Sequence, residues 1–257
     1  MTREITSTNN PLVKELRALS ISKKARQDSG SFIIEGRRGI ETLLANESRQ
    51  FKLELLVANK DVEDLPSLPD SLETIVLPGF VFEKVSDVKN SQGILGVVSY
   101  TPAPFEFFPD TGRYLLLDAI HDPGNLGTLI RSAVGAEFDG VLLYGDCVES
   151  FNPKVIRSTM GTFAFCGIWP VSRDEINRMI DTGYDLCVTT GHGGDSLYET
   201  RFGRKTILAI GSEAHGVSDE LMQLATRKIT IPLAKECESL NAAMAGSICM
   251  FHIRHAD

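Results

Sequence analysis

The sequence predicts an α/β protein of two domains, the second built on a parallel sheet with helices on both faces. Short apolar runs alternate with segments of helical period, the rhythm of βα units. In the second half the runs are apolar at consecutive positions, as in Tyr114–Leu117, which indicates strands buried on both faces. The stretch Thr101–Gly112 has no regular period and carries Pro102, Pro104, Pro109 and Gly112, so it reads as a linker. A boundary near residue 104 gives domains 1–104 and 105–257. The 257 residues, 42% hydrophobic and 23% charged, are enough to bury a sizeable core.

In the first domain, Asn10-Pro11 opens a helix in which Val13–Leu19 mixes apolar and basic residues at helical spacing. Ser31–Gly36 is a strand ending in glycine. Arg38–Glu47 reads as a helix, and Lys52–Asn59, Glu73–Pro78 and Gly93–Tyr100 as strands. In the second domain Arg113–Ile120 is a strand and Asn125–Glu137 a helix. The strand Gly140–Gly145 follows, then a helix over Asn152–Phe163 and a strand near Phe163–Trp169. Ser172–Gly183 is a helix, Tyr184–Gly191 a strand, Lys205–Glu213 a strand and Ser218–Ala225 a helix. Lys228–Leu233 is the last strand and Ser239–Ala256 the final helix.

The five cysteines are odd in number and lack CxxC spacing, which predicts free thiols in a reducing compartment and no metal site. No apolar stretch approaches a membrane span, and the N-terminus has no apolar signal core. The expectation is a cytoplasmic protein without a membrane partner. Net charge is −8, but residues 1–38 hold eight basic against four acidic residues, a local +4. Lys14, Lys23, Lys24, Arg26 and Arg37 in this segment are candidate phosphate contacts, or else a solvated helix face.

A dinucleotide-binding domain needs G-x-G-x-x-G after a strand. The first strand of the second domain is followed instead by His121–Gly127 (HDPGNLG), with its glycines out of register, and no Walker A sequence is present. Three other stretches concentrate the chemistry: Pro123–Ala133 (PGNLGTLIRSA), Gly211–Ser218 (GSEAHGVS) and Ile231–Gly246 (IPLAKECESLNAAMAG). Asn125 is a cap or an active-site amide, and Arg131 a surface cation or a catalytic one. Gly211, at the carboxyl end of a strand, exposes backbone to a ligand. Glu213 is a cap or an ion-pair partner for an arginine. Ser239 is a natural N-cap, and the small residues after Asn241 predict close helix packing.

Together, in this order, the three stretches resemble the motifs of the SpoU/TrmH family, RNA ribose 2′-O-methyltransferases of the SPOUT class. The N-terminal stretch Asn10–Leu44 resembles the substrate-binding α/β domain often fused ahead of it. The resemblance implies a parallel sheet whose C-terminal part forms a deep trefoil knot, and a homodimer with the active site at its interface. It implies S-adenosylmethionine bound by Gly191, Gly211, Ile231, Leu240 and Asn241. Arg131 matches the catalytic arginine, with Asn125, Glu213, Ser239 and Asn241 orienting it or the ribose. Because guanidinium pKa values exceed about 12, Arg131 is expected to steer a phosphate and stabilise the developing alkoxide rather than take a proton.

Ribosomal RNA is the expected substrate. Transfer RNA, a base-methylating relative and an inactive RNA-binding homologue are the alternatives. Two departures from the motifs stand out: Ala243 replaces a serine, and Ala214 a glycine, found in many relatives.

Overall fold

The computed structural model describes residues 2–46, 50–107 and 110–255. Glu47 of the expected helix Arg38–Glu47, Phe108 and Pro109 of the linker, and Ala256 of the final helix lie outside the described residues. The chain forms two compact units, residues 1–103 with 149–165, and residues 104–148 with 166–257.

Unit 1 contains β1 (Thr2–Glu4), α1 (Pro11–Ile21), α2 (Lys23–Ser29), β2 (Ser31–Glu35), α3 (Arg37–Leu44), β3 (Phe51–Asn59), β4 (Glu73–Leu77), α4 (Gly79–Val85) and β5 (Ile94–Tyr100). Its mixed sheet runs β1-β4-β3-β5-β2, with β5 antiparallel to both neighbours. Asn10 caps α1 by accepting from the Leu12 amide, with Pro11 in the first turn where its missing N–H costs nothing. Val13, Leu16 and Leu19 of α1 pack with Val81, Phe82 and Val85 of α4 over Val57 and Ile75.

Segment 149–165 departs from the sequence expectation, which assigned it to the second domain. It carries the helix Pro153–Thr159 and belongs to unit 1 for a physical reason. Phe151 stacks on Phe32 at 4.7 Å, and Phe163 meets Phe51 edge-on at 5.0 Å. These rings form one apolar cluster on the β2–β3–β5 sheet, where aromatic side chains bury large areas. Glu149 adds a buried ion pair with Arg26 at 2.6 Å.

Unit 2 begins with β6 (Gly112–Asp118), the helix Pro123–Gly135, called αA here, and β7 (Gly140–Tyr144). The unit 1 helix α5 (Pro153–Thr159) and a 3-10 turn (Thr162–Phe165) follow in the chain. Unit 2 then resumes with β8 (Gly167–Pro170), α6 (Arg173–Asp181), β9 (Asp185–Thr189), β10 (Asp195–Ser196) and β11 (Lys205–Gly211). It ends with α7 (Asp219–Leu224), β12 (Arg227–Thr230) and αB (Ala242–His255). The strand expected from Phe163 starts at Gly167, because the preceding residues form the 3-10 turn.

The seven strands run β10-β12-β9-β11-β6-β7-β8, every pair parallel. Their apolar side chains feed two layers, as consecutive burial predicts. Leu116, Ile207 and Leu186 pack toward Ile176, Met179 and Leu221. Across the sheet αA and αB lie together, and a Cβ on Gly246 of αB would stand 2.4 Å from Leu129 of αA. No helix among the described residues is long and apolar enough to cross a membrane.

Candidate active site

The carboxyl ends of β9, β11 and β12 open on one cavity of about 310 Å³ in unit 2. Thr189–Gly191, Ile210–Glu213 and Ile231–Leu240 supply three of its walls. Ile210, Val217, Ile229, Ile231 and Leu240 make it largely apolar, while Glu213 and Glu238 add carboxylates. The size and mixed lining are those of a small-molecule pocket.

The loop after β11 is held tightly. Ser212 and Gly216 exchange backbone hydrogen bonds at 3.1 and 2.8 Å, folding the loop back on itself. A Cβ at Gly211 would lie 2.0 Å from the Gly216 carbonyl carbon, so only glycine fits there. Asp118, buried at the end of β6, accepts from the Ser218 amide at 2.7 Å and pins the far end of the loop. Sequence reasoning missed Asp118. Its signal was a lone carboxylate closing an otherwise apolar strand.

Four of the five residues expected to bind cofactor, Gly191, Gly211, Ile231 and Leu240, line this cavity, as do Glu213 and Ser239. Asn241 does not line it but joins a polar cluster that does. Its amide nitrogen donates to Asn125 Oδ1 at 3.1 Å, and Asn125 Nδ2 donates to Glu213 Oε1. One residue from each of the three sequence stretches therefore meets here.

Local capping explains why these amides are free to do so. The Asp122 side chain caps αA by accepting from the Asn125 amide at 2.8 Å, so of the two readings of Asn125 the helix cap is overturned. Asn241 Oδ1 accepts from the backbone amides of Ala243 and Met244 at 3.0 and 3.2 Å. Asn241 is thus the capping side chain of αB, and Ser239, the expected cap, stands in the loop before it. β12 likewise ends at Thr230, leaving Ile231–Leu233 beyond the strand. Glu213 pairs with the Asn125 amide, and no arginine pairs with it among the described residues.

Arg131 lies two turns along αA, exposed, and is not among the residues lining the cavity of its own chain. It has no hydrogen-bond or ion-pair partner among the described residues. Beside it, αB exposes Met244 (59%) and Phe251 (42%). Ser132 of αA and Ser247 of αB join at 2.7 Å between their hydroxyls. His215 lines the cavity as an exposed loop residue.

Of the candidate RNA contacts in unit 1, Lys14, Lys23 and Lys24 are exposed, Lys24 beside Asp28 at 2.7 Å. Arg37 pairs with Glu41 and Asp64. Arg26 is corrected: it is 4% exposed, its Nη1 donates to the Leu19 carbonyl, and its Nε and Nη2 form a fork on Glu149. Its guanidinium is spent inside the fold. No cluster of His, Cys, Asp and Glu suited to a metal ion occurs among the described residues.

The chain matches the SpoU rRNA methylase family over residues 112–251 and an MRM3-like substrate-binding domain over residues 10–96. It belongs to the SpoU rRNA methylase family. It is 32% identical to a Synechocystis protein named an uncharacterized tRNA/rRNA methyltransferase, over 97% of this chain and 93% of the relative. It is also 32% identical to the 23S rRNA (guanosine(2553)-2′-O)-methyltransferase RlmP of Bacillus subtilis, over 98% of this chain and 99% of that one. The crystal structure of an AdoMet-bound rRNA methyltransferase from Sinorhizobium meliloti superposes with a TM-score of 0.85 at 29% identity, covering 98% of this chain and 97% of that one.

Proposed function

We propose that this protein transfers a methyl group from S-adenosylmethionine to a ribose 2′-hydroxyl of ribosomal RNA. The observation that carries the reading is the Asn241–Asn125–Glu213 chain, which ties all three motifs to the wall of one cavity. The cavity fits the methyl donor. Its apolar side chains suit an adenine ring, backbone at Gly191 and Gly211 can meet the ring's polar edge, and Glu213 and Glu238 favour a positive sulfonium. The donor supplies an electrophilic methyl. The ribose oxygen attacks that carbon, the C–O bond forms as the C–S bond breaks, and the hydroxyl proton passes to solvent or a nearby base.

Arg131 supplies a fixed positive charge for an RNA phosphate and for the alkoxide character of the attacking oxygen. Since it does not line its own chain's cavity, we propose that a second copy brings Arg131 to it across a dimer interface. The exposed Met244 and Phe251, on the helix packed against αA, support such an interface. Asn125 and Glu213 orient the reacting groups, and Ser239 and Asn241 brace the loop. We further propose that the C-terminal segment is threaded as a trefoil knot, a reading supported by the convergence of three separate loops on one pocket. Exposed Lys14, Lys23 and Lys24 hold RNA phosphates. Free thiols fit a cytoplasmic setting.

Ribosomal RNA is preferred over transfer RNA because the B. subtilis relative, matched end to end, is named for a 23S rRNA position. The test is methyl transfer from labelled S-adenosylmethionine to ribosomal RNA, followed by alkaline hydrolysis. A 2′-O-methyl group blocks cleavage, so label should emerge in alkali-resistant dinucleotides. Label in mononucleotides would mean base methylation. Cofactor binding without any transfer, to ribosomal or transfer RNA, would mean an inactive homologue.

A further inference from the structure

Unit 1 contains a cavity of about 250 Å³ with no part in the chemistry above. Three segments distant in sequence build it: the end of β2 with the start of α3, the loop Val88–Gln92, and α5. Ile34, Val88, Ile156 and Met160 give it apolar walls. Two charged groups among its lining are held in place. Glu35 Oε1 accepts from the hydroxyls of Ser86 and Ser91 at 2.6 and 2.5 Å. Arg157 Nη2 donates to Asp87 at 3.1 Å, while Arg157 Nη1 is buried with no partner among the described residues.

A buried guanidinium N–H without an acceptor is costly, and an orphan of this kind calls for a ligand that satisfies it. Apolar walls exclude a bare inorganic anion as the natural occupant, and the fixed arginine and carboxylate exclude an aliphatic one. A flat heterocycle with both an acceptor and an N–H on its edge satisfies all of these groups. The volume lies below the roughly 300 Å³ at which pockets for drug-sized ligands begin, and suits a single ring system. Sequence-selective RNA recognition works mainly on unstacked bases, held between side chains and hydrogen-bonded along their edges.

We propose that this cavity takes one unstacked nucleotide of the substrate RNA. The base lies among Ile34, Ile156 and Met160, Arg157 Nη1 donates to a ring acceptor, and Glu35 accepts from a ring or exocyclic N–H. Arg38, exposed in the cavity wall, pairs with a flanking phosphate. The identity of the ligand rests on the proposed RNA substrate. The pocket depends on segment 149–165, because Arg157, Ile156 and Met160 lie outside the region matched to the substrate-binding domain, residues 10–96.

The test uses the full chain with its isoleucine and methionine methyls labelled for NMR. Each of the four ribonucleoside 5′-monophosphates is added at about 10 mM, where millimolar affinity is readable. At least one should shift the methyls of Ile34, Ile156 and Met160, and inorganic phosphate should not. Arg157→Met should abolish the shifts and raise KM for ribosomal RNA about tenfold, with kcat and S-adenosylmethionine affinity unchanged. Asp87→Asn, which removes the ion pair but keeps the guanidinium, should retain both the shifts and the KM.

Shifts caused equally by phosphate, shifts surviving Arg157→Met, or no shift with any of the four would each overturn the proposal. A protein that binds a nucleotide here but methylates no RNA would count against the proposed function alone. Normal methylation with an unchanged KM in Arg157→Met and silent methyls would count against the pocket alone.

Discussion

Asn125 accepts a hydrogen bond from the Asn241 side chain at 3.1 Å while donating its own amide to Glu213. Helix, strand-end loop and C-terminal cap are thereby joined through one carboxamide. The direction of both bonds is fixed, since Glu213 can only accept when ionised. Asn125→Asp would set two carboxylates against each other and reverse that polarity. It should lower kcat about 100-fold, with a smaller change in S-adenosylmethionine affinity. Asn125→Ala should cost about the same, and calorimetry beside single-turnover assays would separate binding from chemistry. A variant with wild-type kcat would show that the chain of amides is only structural.

Arg131 is exposed and has no hydrogen-bond or ion-pair partner among the described residues, so substitutions there test its proposed role with little effect on the fold. Arg131→Lys keeps the charge but loses the planar fork and should lower kcat about 10²- to 10³-fold. Melting temperature and cofactor affinity should stay at wild-type values. If the active site is shared between two copies, mixing Arg131→Ala with Gly211→Ala protein should restore part of the activity through hybrid dimers. No complementation, with exchange of subunits demonstrated, would place Arg131 in its own chain's site.

Gly211→Ala tests the tight loop. The added methyl would overlap the Gly216 carbonyl and the Val217 amide, at 2.0 to 2.1 Å, and backbone atoms cannot rotate out of the way. The loop must move. Expected are a stability loss of about 1–3 kcal/mol by urea unfolding and S-adenosylmethionine affinity too weak to detect by calorimetry. Retained affinity would mean that the loop's folded-back form is not the one that binds.

Much of this architecture was legible in the chain. Consecutive apolar residues at Tyr114–Leu117 and Ile207–Ile210 announce strands covered on both faces, and the parallel sheet follows. Of the elements that were missed, α4 is apolar but only seven residues long, too short to show a helical period, and β1 and α2 lack an apolar run altogether. β1 is Thr-Arg-Glu, with all three residues exposed and pairing only with β4. α2 is polar apart from Ala25, and the residue it buries is Arg26. The placement of segment 149–165 rests on ring contacts spanning more than a hundred positions, which no local period encodes. In the three stretches, helix caps that motif order does not reveal decide which side chains are left to pair. Asp122 and Asn241 hold the helix ends, and this leaves Asn125 free to bridge.

The buried Arg26–Glu149 pair makes a prediction opposite to that for a surface RNA contact. The two side chains are joined at 2.6 Å in a nearly water-free setting, 5% and 13% exposed. Removing one partner strands a buried charge, and Arg26→Ala should destabilise unit 1 by about 3–5 kcal/mol. Arg26→Met with Glu149→Leu should recover much of that loss. The readout is urea unfolding followed by RNA binding of the double variant. A near-normal RNA affinity is expected, because the arginine never faced the phosphate backbone.

Thiol chemistry gives a pH test with a defined sign. Burial pushes the Cys166, Cys187 and Cys249 thiols up to about 12, and Cys147 is raised as well, desolvation being the main cause in each. Cys237 is exposed. At pH 8 iodoacetamide should modify Cys237 fast in the native protein and the other four only after unfolding. In the unfolded chain these thiols ionise at about 8.5. The fold holds them neutral, so unfolding releases protons at alkaline pH. Their contribution to stability is complete below about 8.5 and declines as pH rises toward 12. Cys187→Ala should therefore flatten the fall in urea midpoint between about pH 8.5 and 10 relative to wild type. An equal slope in both proteins would show that Cys187 ionises as readily folded as unfolded.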